Sequence, residues 1–336
     1  MNKRRVLGTL VGFGISALFL ALALYRVDFA QAARALAHAD YRLILASAGL
    51  TLSSYVFRAW RWQRLLRPQK EIPARRLFPV LVSGFALNNV LPGRPGEIAR
   101  GLALGQREAL SKTLGIATVV LERVADGLTL IATLAALALF IELPGWGQQI
   151  ETLALLIFGA ALCFMLLMLW REHWMTRQLQ RVIHLLPARF SQRLANMFAS
   201  FVMGLHALRS PRDILAVALF SAATWLCEGG SYFLVLSAFG LLPASGERAL
   251  AALFLMVIVN LSISIPAAPG GVGPFEAAGI LALGAFGVPK ALALPAVLVS
   301  HLVQFALITS LGVFFMARAG VTLTQAAQPL EQERTA

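Results

Sequence analysis

The sequence has few charged residues for its length. Its 336 residues include 29 Lys and Arg and 16 Asp and Glu, together 13% of the chain, whereas 58% of the residues are hydrophobic. A soluble protein of this size needs many more charged side chains, which commonly make up about a quarter to a third of its surface. The composition therefore excludes a soluble globular domain and favours a polytopic α-helical membrane protein.

Cysteine and recognisable catalytic motifs are also scarce. Cys163 and Cys227 lie in apolar segments and have neither disulfide nor metal-ligand spacing. No metal-ligand cluster, nucleophile elbow or nucleotide-binding loop is found, so the sequence predicts no metal and no cofactor and indicates that the chain is not an enzyme. The net charge of +13 does not indicate nucleic-acid binding, because the basic residues lie between hydrophobic segments.

Six apolar segments are long enough to cross a membrane, which takes roughly 20 helical residues. We expect them to be transmembrane helices of a single polytopic domain, residues 1–320, followed by a short polar cytoplasmic tail, residues 321–336. The segments are about Val6–Leu24, Leu43–Trp60, Thr113–Ile141, Thr152–Trp170, Ile214–Phe239 and Ala291–Met316.

Two further apolar regions are shorter and are interrupted by proline and glycine. One runs from Leu77 to about Gly105 across residues 92–96, and the other runs from Leu250 to about Gly287 across residues 266–274. Proline lacks an amide donor and glycine permits non-helical dihedrals, so a helix cannot continue through either cluster. Such backbone is tolerated at membrane depth only inside protein or beside a polar cavity. The sequence therefore predicts two re-entrant helical hairpins, with about eight full spans as the alternative.

The distribution of basic residues predicts the orientation. Residues 142–151 contain none, whereas seven follow the second apolar segment: Arg58, Arg61, Arg64, Arg67, Lys70, Arg75 and Arg76. Because cytoplasmic loops are enriched in Lys and Arg, six spans with both termini cytoplasmic fit best, in a bacterial inner (cytoplasmic) membrane. The hairpins then enter from opposite sides, so residues 43–141 and 214–316 form an inverted repeat. Paired broken helices in two such halves indicate the central site of a transporter.

Four stretches together resemble one known family. They are residues 58–62 (RAWRW), residues 88–97 (NNVLPGRPGE) with Arg100, residues 122–127 (ERVADG) and residues 269–276 (PGGVGPFE). In these stretches the chain is similar to the lysylphosphatidylglycerol synthase transmembrane-region family. The resemblance implies a lipid-translocating membrane module, here expected as a stand-alone member without the soluble synthase domain.

Three charged residues in the third apolar segment are candidate site residues. A charge at the centre of a membrane helix costs about 2.5–3.5 kcal/mol on insertion scales, so Glu122, Arg123 and Asp126 must face partners or water. Arg123 can reach Asp126 three residues further on. The cluster is either a self-neutralising structural contact that fixes this helix to a hairpin, or a site for a headgroup or a proton.

The interruptions supply the remaining candidates. Glu97 and Glu276 begin the helices that follow the two breaks, where a carboxylate caps unpaired amides. The same helix starts also suit a lipid phosphate, with Arg94 and Arg100 as further donors. We complete the predicted substrate-binding or gating set with four residues of the breaks themselves: Asn88, Asn89, Gly270 and Gly271.

Three other polar or aromatic residues receive structural interpretations. Glu228 and His301 are lone polar groups on apolar helices, and for His301 an inter-helical hydrogen bond is the expected role, with a proton relay as the alternative. Trp62 lies near a predicted span end, where we expect it to anchor the helix at the membrane surface.

Two classes of function follow from this pattern. The leading hypothesis is a membrane lipid flippase or amphipathic-lipid transporter, with a central site between the two broken-helix hairpins. Its partner would be a membrane phospholipid or another anionic or amphipathic lipid, and a homo-oligomer stays open. The alternative is a membrane-embedded enzyme, or an enzyme subunit, that acts on a lipid or polyprenyl phosphate with Glu97, Glu122 or Asp126 as acid or base. A scaffold for a partner enzyme is a third option.

Overall fold

The computed structural model describes residues 3–91, 94–108, 110–171, 174, 177–178, 181, 191, 195, 202, 205, 210–263 and 268–320. In these residues the regular secondary structure is entirely helical. The long helices are α1 (Lys3–Leu24), α2 (Phe29–Ala37), α3 (Tyr41–Leu66), α4 (Ala74–Val90), α5 (Gly96–Glu108), α6 (Lys112–Leu137), α7 (Gly145–Trp170), α8 (Pro211–Ala238), α9 (Ser245–Ser262), α10 (Pro274–Gly284) and α11 (Lys290–Arg318), with a short 3₁₀ turn at Pro269–Gly271 before α10.

Local sequence signals explain several helix starts. The side chain of Asp28 accepts a hydrogen bond from the amide of Gln31 at the start of α2, and Asp40 accepts one from Arg42 at the start of α3. Each carboxylate thereby satisfies an amide that has no partner within its helix. Proline occupies the first position of α8 and α10, where its fixed φ suits a helix and its missing N–H costs nothing.

The helices confirm a multi-pass, all-α membrane protein. Helices α3, α7, α8, α9 and α11 are long and apolar enough to span a membrane, and α1 and α2 form a sixth candidate that is bent by 85°. Helix α6 has similar length but carries Glu122, Arg123 and Asp126 in its middle. Each of the six predicted spans thus lies on one helix. The predicted tail, residues 321–336, lies outside the described residues.

Both predicted hairpins are present as pairs of packed helices, α4 with α5 and α9 with α10. In the first hairpin the chain passes so close to itself that a Cβ on Gly96 would lie 1.8 Å from the carbonyl oxygen of Gly84. In the second, a Cβ on Gly279 would lie 3.3 Å from the side chain of Leu255. The proline and glycine clusters therefore act as reversals between antiparallel helices. Helix α9 also has the length and apolarity of a full span.

The helices form two units, α3–α6 and α8–α11, that have corresponding contacts. Helix α3 contacts α4 as α8 contacts α9, and α5 contacts α6 as α10 contacts α11. Between the units, α3 packs on α8, α4 on α11 and α6 on α9. Phe78 lies against Phe315 while Asn89 bonds to Thr309, so α4 and α11 run antiparallel. This is the pairing that an inverted repeat produces.

Candidate functional site

The second break is a glycine-rich turn held by side chains from other helices. Gly270, Gly271 and Gly273 have φ values of +71°, +75° and +97°, a region that side chains with a Cβ rarely adopt. The hydroxyl of Ser16 on α1 donates to the carbonyl oxygen of Val272 at 2.6 Å and accepts from the amide of Ala268 at 2.8 Å. The non-helical backbone is thus satisfied by protein groups, as membrane-embedded backbone requires.

Glu276 and His301 also form hydrogen bonds to this turn. One carboxylate oxygen of Glu276 accepts from the amide of Gly273 at 2.6 Å, and the other lies 2.6 Å from Nδ1 of His301. Nε2 of His301 lies 2.9 Å from the carbonyl oxygen of Gly270. The predicted capping role of Glu276 and the predicted inter-helical bond of His301 are both confirmed, and the two residues form one unit.

The first break is held differently. The side chain of Asn88 accepts from the amide of Gly96 at 2.7 Å and so caps α5. Arg94 has a φ of +52° and pairs with Glu97 at 3.1 Å. Glu97 therefore lies in the first turn of α5 as predicted, but its partner is the arginine of the break.

The two breaks lie next to each other. Helix α4 contacts the 3₁₀ turn, and a Cβ on Gly270 would lie 3.4 Å from the carbonyl oxygen of Asn89. The amide of Asn89 also donates to Thr309 of α11 at 2.9 Å. The structure thus brings Asn88, Asn89 and Gly270, which the sequence placed in separate halves, to one place.

Asp126 is the centre of a buried charged cluster between α3, α5, α6 and α8. Its carboxylate lies 2.7 Å from Arg61 and 3.3 Å from Arg58, both on α3, and 3.2 Å from Arg123 on its own helix. The predicted pair of Arg123 and Asp126 is present. However, two arginines from a neighbouring helix also pair with Asp126.

The cluster extends to two further helices. Arg58 reaches Glu228 on α8 at 3.3 Å, and Glu228 also accepts a hydrogen bond from Ser54. Glu122, one turn before Asp126 on α6, pairs with Arg100 of the first hairpin. The guanidinium of Arg100 lies 4.4 Å from the ring centre of Trp62. Arg100 is therefore paired with a carboxylate within the cluster.

Four polar contacts join α3 to α8, and we call them the polar ladder. Thr51 bonds to Ser231 at 3.0 Å, Ser54 and Arg58 both bond to Glu228, and Arg61 donates to Ser221 at 3.0 Å. Residues later in α3 bond to residues earlier in α8, so the two helices run antiparallel. The spacing of the four α3 residues places them on one helical face.

The charges of the cluster do not cancel. Among the described residues that pair within it, four arginines (Arg58, Arg61, Arg100 and Arg123) face three carboxylates (Glu122, Asp126 and Glu228), which leaves one positive charge. The side chain of Arg123 is 32% exposed, whereas those of the other six residues are at most 7% exposed. The uncompensated charge is therefore accessible at Arg123.

The cluster also offers hydrogen-bond donors. Nε of Arg123 is buried and has no hydrogen-bond partner, and the same holds for Nε of Arg58, Arg61 and Arg100. The cluster also contains one buried acceptor without a partner, Oε1 of Glu122. With Arg94 close enough to Arg123 for like-charge repulsion, the open side of the cluster suits an anion.

Three sequence interpretations need correction. Arg58 and Arg61 were assigned to a cytoplasmic loop, but α3 continues to Leu66 and both arginines are buried partners of Asp126. Glu228 is likewise a member of the cluster. Trp62 is fully buried, with its Nε1 donating to Thr118, so it is not a surface anchor. The spacing of Ser54, Arg58 and Arg61 on one helical face was the available signal.

Comparison with known proteins agrees with the predicted family. The sequence pattern described as the lysylphosphatidylglycerol synthase TM region matches residues 9–312. The chain is 27% identical over 96% of its length to a protein of Haloferax volcanii named glycosyltransferase AglD, and it spans 56% of that protein. It is also similar to two proteins of Methanothermobacter thermautotrophicus named UPF0104 membrane protein. One is 23% identical over 87% of the chain and 89% of the relative, and the other is 26% identical over 90% and 91%.

Proposed function

The chain belongs to the lysylphosphatidylglycerol synthase TM region family, and from that premise we propose that it is a transporter that moves an anionic or amphipathic lipid between membrane leaflets. The headgroup binds at the open side of the charged cluster, beside the two adjacent breaks. As part of the proposal, the protein lies in the cytoplasmic membrane of a bacterial cell with both termini cytoplasmic.

The uncompensated charge of Arg123 is the observation that carries this proposal. A cluster that served only to join helices would be most stable when its charges cancelled, because an unpaired charge in a low-dielectric interior is costly. Here the surplus lies on the most exposed arginine of the cluster. A phosphate oxygen can compensate this charge through charge-assisted hydrogen bonds to the exposed part of the Arg123 guanidinium.

The breaks support movement of the bound lipid. Helix starts and non-helical backbone near the middle of two hairpins are the usual surroundings of substrate in transporters built from inverted repeats. The first break adjoins the cluster through Arg94, whose side chain is 40% exposed and whose partner Glu97 is 30% exposed. These two residues can rearrange around a headgroup without uncovering a deeply buried charge.

The alternative, an enzyme acting on a lipid or polyprenyl phosphate, draws support from the name of the AglD relative. The carboxylates suit this role less well. Asp126 is fixed by three arginines and Glu122 by Arg100, so neither is free to take up a proton as a general base. Glu97 is more accessible, but it pairs with Arg94. Because the buried carboxylates are fixed by arginines, we propose that the chain itself has no enzymatic activity.

Leaflet exchange in liposomes tests the proposal. Purified protein is reconstituted with fluorescent anionic or zwitterionic phospholipids, and accessibility to an impermeant quencher is followed while mass spectrometry checks the lipid for chemical change. We expect exchange of the anionic lipid without a change in mass. Altered lipid mass would instead support the enzyme.

Arg123→Gln is the decisive variant. Asp126 keeps Arg58 and Arg61 as partners, so the variant is expected to fold. A hydrogen bond to a charged group contributes about 1.5–3 kcal/mol, so the apparent affinity for the anionic lipid should fall by about 10- to 100-fold. Arg34→Gln, which changes an exposed arginine of α2, is the matched control. Wild-type affinity in folded Arg123→Gln would remove the cluster from substrate binding.

A further inference from the structure

Both ring nitrogens of His301 face hydrogen-bond acceptors. Nδ1 lies 2.6 Å from a carboxylate oxygen of Glu276, and Nε2 lies 2.9 Å from the carbonyl oxygen of Gly270. A neutral imidazole has only one N–H donor, and an ionised carboxylate has none. Two hydrogen bonds at these positions therefore require one proton more than a neutral histidine and an ionised glutamate supply.

We propose that Glu276 and His301 form a binding site for one exchangeable proton, and that this proton locks the Pro269–Gly271 turn. The extra proton lies either on the ring, with Glu276 ionised, or on Glu276, which then donates to Nδ1. In both arrangements Nε2–H donates to Gly270, and the pair carries no net charge.

Release of the proton breaks one of the two bonds. The proton passes to water or to another base, the pair keeps a single N–H, and its net charge becomes −1. If that N–H is on Nδ1, the Nε2 lone pair faces the carbonyl oxygen of Gly270. If it is on Nε2, the Nδ1 lone pair faces the carboxylate of Glu276. Either contact is repulsive at the observed distance, so loss of the proton weakens the hold of the pair on the turn, whereas the bonds of Ser16 and of the Gly273 amide remain.

Two phenylalanine rings and two uncharged polar residues lie around the pair or the turn that it binds. The ring of Phe275 stacks on His301 at 4.1 Å, and Phe305 meets it edge-on at 6.3 Å. Helices α1 and α4 contribute Ser16 and Asn89 around the turn, and neither of these titrates.

The helices packed against α10 and α11 also carry ionisable groups, among them Arg34 of α2 and Arg58 and Arg61 of α3. From α8, the hydroxyl of Tyr232 accepts a hydrogen bond from Gln304, one turn beyond His301. Ionisable residues that occupy helix ends on α9 and α11 are Glu247, Arg248, Lys290 and Arg318.

Polar residues also lie between this site and the charged cluster. Gln304 follows His301 by one turn of α11 and bonds to Tyr232, and Tyr232 follows Glu228 by one turn of α8. Resting on the proposed lipid transport, a proton gradient drives the movement: the protonated pair holds the Pro269–Gly271 turn in place, and release of the proton frees this turn beside the lipid site.

The proton itself is tested by ¹⁵N NMR of histidine-labelled protein in lipid nanodiscs. The chain has five histidines, and the signal of His301 is identified by its loss in His301→Gln. We expect both ring nitrogens of His301 to be hydrogen-bonded and the pair to release one proton on titration to high pH. A His301 with one N–H, one free lone pair and no titration would overturn the site, whatever the transport assay shows.

The Glu276→Gln variant keeps the hydrogen bonds that hold the turn but removes the exchangeable proton. The amide of glutamine can donate to Nδ1 while Nε2–H still donates to Gly270, so the turn stays held without an exchangeable proton. We expect this variant to fold and its His301 signal to lose its titration. His38→Gln, at an exposed histidine, is the control that should behave as wild type.

Coupling is measured in liposomes with the membrane potential held at zero by potassium and valinomycin. For one proton per lipid, each unit of imposed pH difference changes the steady-state leaflet ratio by up to about tenfold in the wild type, and Glu276→Gln should give no change. A ratio independent of pH in the wild type would overturn the coupling. If the NMR titration is present but no lipid moves in any variant, the proton site stands and the proposed transport fails.

Discussion

Replacing Asp126 with asparagine removes the partner that three arginines share. The three arginines differ in the contacts that they keep. Arg58 keeps Glu228 at 3.3 Å, and Arg123 is exposed enough to reach water. Arg61 is only 1% exposed and keeps only the hydroxyl of Ser221. The variant therefore leaves one buried charge, that of Arg61, without a carboxylate partner.

We expect a loss of about 3–5 kcal/mol in the free energy of unfolding, the usual cost of leaving one member of a buried ion pair without its partner. Unfolding is followed by titrating protein in mixed micelles with sodium dodecyl sulfate. A control, Glu71→Gln, breaks an exposed ion pair with Arg67 at the end of α3 and should leave the unfolding free energy unchanged.

Two double variants test whether Arg61 is the arginine that loses its partner. Adding Arg61→Gln to Asp126→Asn removes the stranded charge and should restore most of the lost stability. Adding Arg123→Gln should restore little, because that side chain is already partly hydrated. Equal rescue by the two second substitutions would refute the assignment of Arg61 as the buried partner.

Two further predictions concern the breaks and the topology. Gly96→Ala should prevent folding and lower the yield of inserted protein, because its Cβ would lie 1.8 Å from a carbonyl oxygen of α4. Gly271→Ala has room, with its nearest neighbour at 3.4 Å, so it should fold with a cost of about 1–2 kcal/mol from its positive φ, as judged by thermal unfolding in detergent. Cysteines introduced near Gly145 and Ser245, in a background without native cysteines, should react with an impermeant thiol reagent from outside, whereas one near Arg75 should not. A cytoplasmic Gly145 would contradict the six-span topology.

The fold was largely predictable because apolar length and proline–glycine breaks are properties of short stretches of sequence. Even α6 was found despite its three charges, since apolar residues surround them. Helix α2 was missed because residues 29–37 are short and contain Arg34, so they resembled a loop between two spans. The 85° bend between α1 and α2 depends on packing that no local pattern shows.

The site was predictable only in part. The pair of Arg123 and Asp126 was predicted correctly because helix geometry fixes the distance between residues that lie three apart in one segment. Arg61 is 65 residues from Asp126 along the chain, and their contact depends on how α3 packs against α6. Ser16 is still further from the break that it holds, 256 residues from Val272, and a serine in an apolar helix gives no indication of such a partner.

The polar ladder between α3 and α8 limits how the two units can move. Its members are buried and are spaced along a single seam, and the short side chains of Thr51, Ser54, Ser221 and Ser231 need their partners to be level with them. Sliding one helix along the other would therefore break hydrogen bonds at several points of the seam. In the proposed transport cycle we therefore expect the seam to serve as a fixed pivot, with rearrangement by rotation about it or in the hairpins on either side. Spectroscopic labels placed across this seam should then report a constant distance, whereas labels on α4 and α9 should report the motion.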